Sequence, residues 1–179
     1  MLVKKTLPFL MIFVSFACKD LGVEPNIQTE YYWSADKKVQ VILNRATVIG
    51  IYKPNSAYPS RWLEVLYLDN PQTLPLRSII AGRGLNPDDF EWLSFGYTYN
   101  GTEVIPTNRI SFSLKEDYTV DDLRSIMWNS GVFDSTNFGT TVIRMLAQEG
   151  NVFTLANAIY ESKMANYSTP DFVARITYP

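Results

Sequence analysis

The side chains that most often perform catalysis are scarce in this chain. Its 179 residues include no histidine and a single cysteine, Cys18. A Ser-His-Asp triad, a Cys-His pair and a His-ligated zinc site are therefore impossible, and a lone cysteine excludes an internal disulfide. Carboxylates and lysines remain available, but no spacing pairs a nucleophile with a base. We predict a protein that binds a partner and is not an enzyme, with no catalytic residue, no cofactor and no metal.

The acidic residues that stand close together have simple interpretations. Asp88, Asp89 and Glu91 could ligate calcium, but no EF-hand spacing accompanies them, so a solvated loop is the better interpretation. Asp121 and Asp122 follow Thr119, a typical N-cap, and suit the first turn of a helix.

Aromatic residues form a second group that could bind a ligand. Tyr31, Tyr32 and Trp33 are consecutive and could form a sugar-binding surface patch. Packing within a sheet is the commoner role for such a cluster, and we expect it here. The same interpretation applies to Trp62, Trp92 and Trp128. The formal net charge is −2 and no basic block stands out, so we expect no nucleic-acid partner.

The N-terminus has the pattern of an export signal. Lys4 and Lys5 precede an apolar run of about ten residues, which is too short to span a bilayer. Ser15 and Ala17 suit an ordinary signal peptidase, whereas Cys18 directly after Ala17 resembles the lipobox of bacterial lipoproteins. We predict a signal peptide over residues 1–17, lipidation of Cys18 and a tether over 18–29. The protein is then expected at the outer membrane or cell surface, held in the membrane by a lipid anchor.

Alternating apolar residues predict a mostly β region over residues 30–106. Val39, Val41 and Leu43 alternate with polar residues, and Asn44-Arg45 is a plausible turn. Trp62 to Leu68 is another candidate strand, and Leu74 to Ala81 could be a helix or a strand. Asn100-Gly101 between two strand-like runs is a strong hairpin signal.

The pattern changes over residues 107–179. Ile110, Phe112 and Leu114 alternate in a strand; a helical stripe follows Thr119, and Gly131 is a natural C-cap. A β-branched segment over 140–146 precedes a second helix that begins near Gly150-Asn151. Pro170 is expected to end the next turn, and 172–176 to form a last strand. Two helices that cover one face of a sheet predict a ferredoxin-like (split βαβ) domain, and so an α+β protein.

Several segments in a fixed order resemble the N-terminal propeptide region of secreted Bacteroidota subtilisin-like serine proteases. Residues 30–33 and 37–39 are similar to its start, just after the signal peptide. Residues 107–115 resemble its strand and lead to its first helix. Residues 155–162 and 166–172 resemble its closing helix and strand, and this pair is the most specific part. The catalytic domain of that family would follow Pro179, so the resemblance does not extend to protease activity.

The resemblance implies a propeptide-like domain that binds, and inhibits or chaperones, a subtilisin-like protease. Such domains can lay their C-terminal tail in the substrate cleft, which here would involve Phe172, Ile176, Thr177, Tyr178 and Pro179. One alternative is a structural or adhesive surface module without a protease partner, which an exposed patch at residues 31–33 would favour. Another is the N-terminal fragment of a longer secreted protease.

Overall fold

The computed structural model describes residues 28–58, 60–127, 131–137, 139–145 and 151–173. The strands are β1 (Thr29–Ser34), β2 (Lys37–Tyr52), β3 (Leu63–Tyr67), β4 (Phe90–Tyr99), β5 (Thr102–Leu114), β6 (Gly131–Asn137), β7 (Thr140–Met145) and β8 (Ala165–Val173). The helices are α1 (Leu76–Gly82), α2 (Arg124–Met127) and α3 (Val152–Glu161), with 3-10 turns at Pro87–Asp89 and Val120–Leu123.

The strands of the described residues form one antiparallel sheet. Its main path runs β1-β2-β4-β5-β7-β6, while β3 pairs with β2 and β8 pairs with β5. In the C-terminal half the strands therefore lie side by side as β8-β5-β7-β6. The connection from β5 to β6 contains α2, and the connection from β7 to β8 contains α3.

Two long strands, β2 and β5, carry the sheet from one end to the other. Along one edge of β2 lie first β1 and then β3, and along one edge of β5 lie first β4 and then β7. The register of each long strand shifts twice, and the larger irregularities lie between Asn44 and Val48 in β2 and between Pro106 and Ile110 in β5. Bulges bend a strand and increase its twist, so the sheet curves at these two places.

The Asn44 bulge stands where the sequence predicts a turn, and that prediction is wrong. The side-chain oxygen of Asn44 accepts a hydrogen bond from the Ala46 amide at 3.1 Å, and its amide donates to the Thr47 hydroxyl at 3.0 Å. The side chain thus satisfies groups that the interrupted ladder leaves unpaired. A turn-forming residue serves here to bend a strand that continues.

Apolar side chains pack on both faces of the sheet. The larger cluster draws on β2, β4, β5, β7, α2 and α3, and its fully buried members include Trp92, Ile110, Phe112 and Phe153. A smaller cluster lies on the other face, where α1 packs against the part of the sheet that contains Phe90. Because the larger cluster takes side chains from before and after residue 107, both halves share one core.

The helix α3 packs against both β1 and β8. The Phe153 ring lies 6.0 Å from that of Tyr32 and 6.2 Å from that of Phe172, measured between centroids. On the same helix, the Asn157 side-chain amide donates to the Tyr31 carbonyl at 2.8 Å. This bond satisfies a backbone group on the edge of β1 that none of the described strands covers, so α3 closes the sheet between β1 and β8.

The predicted ferredoxin-like α+β fold is wrong. The described residues form a mostly β structure, one eight-stranded antiparallel sheet with few helices. The physical reason is the continuity of β5, which pairs with β4 at Val104 and with β7 from Arg109 onwards. The strand β5 therefore runs across the predicted boundary at residues 106 and 107, despite the bulge between Pro106 and Ile110. The helix predicted after Thr119 is reduced to a 3-10 turn and one turn of α2.

Several local predictions are confirmed. Asn100 and Gly101 both have positive φ and connect β4 to β5. The Thr119 amide donates to the Asp122 carboxylate at 2.7 Å, as expected of a helix start. Other boundaries differ from expectation, since Gly131 begins β6 and Pro170 lies inside β8 opposite Ile110.

Candidate partner-binding groove

A groove of about 670 Å³ lies at the bend of the sheet. Its lining comes from the ends of β2, β4 and β8, from the β5 bulge, from Arg144 on β7 and from Trp62 just before β3. We call it the Trp62 groove. It forms because β4 leaves β5 beyond the Tyr97–Val104 pair, whereas β7 joins the same edge only at Arg109.

The sequence around Pro106 explains the bulge at the groove. Proline has no amide hydrogen and cannot donate to a strand ladder. The Thr107 hydroxyl accepts a hydrogen bond from the Arg109 amide at 3.1 Å, which replaces a ladder bond with a local one. Asn108 is consequently directed inward and is only 3% exposed.

A polar network forms the floor of the groove. One carboxylate oxygen of Glu91 accepts from the Asn108 amide at 3.0 Å, and the other accepts from the Arg144 guanidinium at 3.0 Å. This network joins β4, β5 and β7 where no backbone ladder joins β4 to β7. Both oxygens of Glu91 are engaged, so the carboxylate is held as a clamp across the gap.

The walls of the groove are also held in place. The Tyr52 ring stacks on Phe90, with 4.4 Å between ring centroids. The Tyr52 hydroxyl donates to Glu64 at 2.9 Å, and burial together with this bond raises the pKa of Tyr52 to about 12. On the opposite wall, Ser111 donates to Asp171 at 2.6 Å. The tyrosine therefore stays neutral at physiological pH and the groove keeps its shape.

Trp62 is the exposed aromatic side chain of the groove. It is 59% exposed, although the sequence predicts packing for it, so that prediction is wrong. The same prediction is confirmed for Trp92, which is fully buried, whereas Trp128 lies outside the described residues. Single exposed apolar side chains are common on protein surfaces. Trp62 is informative because it lines a groove whose polar floor is already hydrogen-bonded.

The residues predicted to form the site are only partly covered by the structure. Cys18, Ile176, Thr177, Tyr178 and Pro179 lie outside the described residues, as do the signal peptide and most of the tether. Thr29, at the end of the predicted tether, is the first residue of β1. Phe172 is half-buried at the groove, and its ring lies 5.2 Å from that of Tyr32.

The other candidates from the sequence lie elsewhere. Glu91 belongs to β4 and not to a loop, and Asp88 pairs with Arg77. Within the described ranges no group of three potential metal ligands occurs. The aromatic residues 31–33 are half-buried and pack towards α3, so the expected packing role is confirmed for Tyr32 and Trp33.

The residues that build the groove were mostly missed by sequence reasoning. Glu91 and Arg144 are 53 positions apart in the chain, and no local pattern links them. A usable signal was the polar pair Thr107-Asn108 after Pro106, which separates the apolar residues Ile105 and Ile110.

The fold and the groove define a mostly β protein with one curved sheet and a surface cleft at its bend. No protein-family model, no curated protein and no solved structure matches the chain. Over the part of the chain that the structure describes, no helix combines the length and apolar character needed to cross a membrane.

Proposed function

We propose that this protein is an exported, lipid-anchored binding protein that holds an extended segment of a subtilisin-like protease in the Trp62 groove and does not itself catalyse a reaction. The observation that carries the proposal is a largely exposed tryptophan beside a groove whose floor is already fixed by hydrogen bonds. Lipidation at Cys18 would keep this groove at the outer membrane or cell surface.

The groove has the features of a protein-binding site. Tryptophan is enriched among the residues that contribute most to protein–protein binding. The clamp formed by Glu91, Asn108 and Arg144 is complete before a partner arrives, so little conformational entropy is lost on binding. Trp62 would pack on an apolar side chain of the partner, and the polar floor would face its backbone.

The charges in and beside the groove favour an uncharged segment. Arg144 is balanced by Glu91, and Arg109 is balanced by Asp134 at 2.8 Å. A charged ligand group would have to compete with these pairs, whereas peptide groups can bind beside them. This balance supports an extended peptide segment as the occupant.

The resemblance to protease propeptides supports a protease as the partner. Its strongest segments, residues 107–115, 155–162 and 166–172, fall on β5, α3 and β8. These elements pack together, since β8 pairs with β5 and α3 lies against β8. The β5 bulge and the end of β8 line the groove, so two of the three resembling segments contribute to the proposed site.

The proposal is tested by measuring binding to purified subtilisin-like proteases, together with inhibition of their activity. We expect Trp62→Ala to weaken binding at least about 30-fold, because a central aromatic anchor contributes about 2 kcal/mol or more. The matched control is Leu74→Ala, since Leu74 is also exposed, at 55%, but lies outside the groove lining. Both variants should fold with nearly unchanged stability.

The outcomes separate the parts of the proposal. Equal binding by wild type and Trp62→Ala would remove the groove as the site. Absence of binding to every protease tested would remove the protease partner. Deleting residues 174–179 tests the predicted tail, and unchanged inhibition after that deletion would show that the groove acts without it.

A further inference from the structure

A second cavity of about 530 Å³ lies next to α3, away from the Trp62 groove. Its lining includes Trp33 at the end of β1, Asp36 in the following turn, Tyr160 and Glu161 on α3, and two lysines. We call it the α3 pocket. None of its lining residues lines the Trp62 groove, so the two sites can be tested separately.

Two aromatic rings form a rigid wall of the α3 pocket. Trp33 stacks on Tyr160, with 5.0 Å between ring centroids and 23° between ring planes. The indole N–H of Trp33 donates to Glu161 at 3.1 Å, and the Tyr160 hydroxyl donates to Asp36. Both rings are half-buried, so each has a fixed orientation and still presents surface to the pocket.

The two carboxylates of the pocket are already occupied. Glu161 also accepts from the Tyr31 hydroxyl at 2.8 Å, and hydrogen bonds from Tyr31 and Trp33 lower the pKa of Glu161. Asp36 is bound by Tyr160. The acids therefore hold the aromatic wall in position.

The two lysines of the pocket have no carboxylate partner among the described residues. Lys115, just after β5, and Lys163, between α3 and β8, both line the cavity. Neither forms an ion pair with another described residue. The amide of Asn166 lies in the same lining and donates to the Leu114 carbonyl at 3.0 Å. The pocket thus offers cationic donors that no described carboxylate neutralises.

Two residues of the pocket lining have positive φ. Lys163 has a φ of +66°, at a place after a helix where glycine is normally favoured. Asp36 has a φ of +61°. Of the four non-glycine residues with positive φ in the described ranges, these two line the pocket. The φ of Asp36 is the one that the two-residue hairpin loop between Ser34 and Lys37 requires, whereas Lys163 adopts positive φ although it is not a glycine.

We infer that the α3 pocket binds an acidic saccharide, a sugar ring that carries a carboxylate. The apolar face of a sugar ring fits against the half-buried surface of Trp33 and Tyr160. The carboxylate of the sugar would accept charge-assisted hydrogen bonds from Lys115 and Lys163. Its hydroxyls would bond the remaining oxygen lone pairs of Asp36 and Glu161.

The test measures binding of trigalacturonate to the full chain by calorimetry, with a neutral cello-oligosaccharide of the same length for comparison. We expect Lys163→Gly to weaken trigalacturonate binding at least about tenfold, because a hydrogen bond from a charged group is lost. The same variant should have a thermal midpoint no lower than wild type, since glycine relieves the positive φ. Lys115→Ala should weaken binding to a similar extent.

The control variant is Lys53→Ala, which removes a lysine outside the pocket lining and should bind like wild type. Weaker trigalacturonate binding at higher salt is also expected. The inference is overturned if wild type does not bind trigalacturonate, if it binds the neutral sugar equally well, or if Lys163→Gly binds as wild type does. Because no groove residue is changed, these results are independent of protease binding.

Discussion

The clamp at the floor of the Trp62 groove makes a quantitative prediction about stability. Glu91→Ala removes two hydrogen bonds to an ionised carboxylate, one from Asn108 and one from Arg144. Hydrogen bonds to charged groups contribute about 1.5–3 kcal/mol each when well buried. The side chains of Glu91 and Arg144 are 21% and 33% exposed, so solvent screening reduces the sum.

We expect Glu91→Ala to lower the free energy of unfolding by about 2–3 kcal/mol. For a domain of this size the thermal midpoint should fall by about 4–12 °C. Glu91→Gln keeps an acceptor for Asn108 but turns an NH2 group towards the Arg144 guanidinium, so it loses the charge and the second hydrogen bond and should cost about 1–2 kcal/mol. Urea unfolding followed by tryptophan fluorescence measures both, because Trp92 is fully buried in the same sheet.

A double-mutant cycle with Arg144→Met tests whether the two charges act as a pair. We expect a coupling of about 1–2 kcal/mol, as found for contacting residues of one network. Arg61→Ala is the control, because Arg61 is 59% exposed and lies 3.5 Å from Glu64, so its loss should cost about 0.5 kcal/mol or less. If Glu91→Ala costs no more than this control and the coupling is zero, Glu91 and Arg144 do not act as a clamp.

Three further predictions concern stability. Gly101→Ala should cost about 1–2 kcal/mol, measured by urea unfolding, because Gly101 has a φ of +77°. No atom crowds the added Cβ, so this cost comes from the backbone alone. Gly131→Ala should cost about 1–3 kcal/mol in the same assay, because its Cβ would lie 2.6 Å from the Ile143 side chain. The control is Gly82→Ala, which has open space around the added Cβ and should be neutral or stabilising. Burial raises the pKa of Tyr97 to about 12. The stability that the neutral tyrosine contributes is therefore complete below pH 10 and is lost as the pH rises towards 12. Tyr97→Phe should flatten this decline in the free energy of unfolding.

Local signals in the sequence predicted local structure well. Asn100-Gly101 specified a hairpin because both residues adopt positive φ easily. The alternation of Ile110 and Phe112 predicted a strand with one buried face, and both side chains are fully buried. The apolar spacing over 152–160 predicted α3, which buries the same stripe against β8.

The fold as a whole was not predicted, because strand pairing depends on distant residues. Nothing near Pro106 indicates that β5 continues through it, since the bulge is compensated by side chains such as Thr107. From the sequence alone Asn44 looks like a turn residue, whereas in the structure it stabilises a bulge. The Trp62 groove arises where β4 and β7 share one edge of β5, and only the assembled sheet brings Glu91 to Arg144.

Binding at the Trp62 groove is tested most directly by site-specific cross-linking. A photoreactive amino acid is placed at position 62 in one variant and at position 74 in another, and each is illuminated with a purified subtilisin-like protease. We predict a cross-linked product from position 62 and none from position 74. No product from position 62, or equal yields from both positions, would contradict the proposed mode of binding.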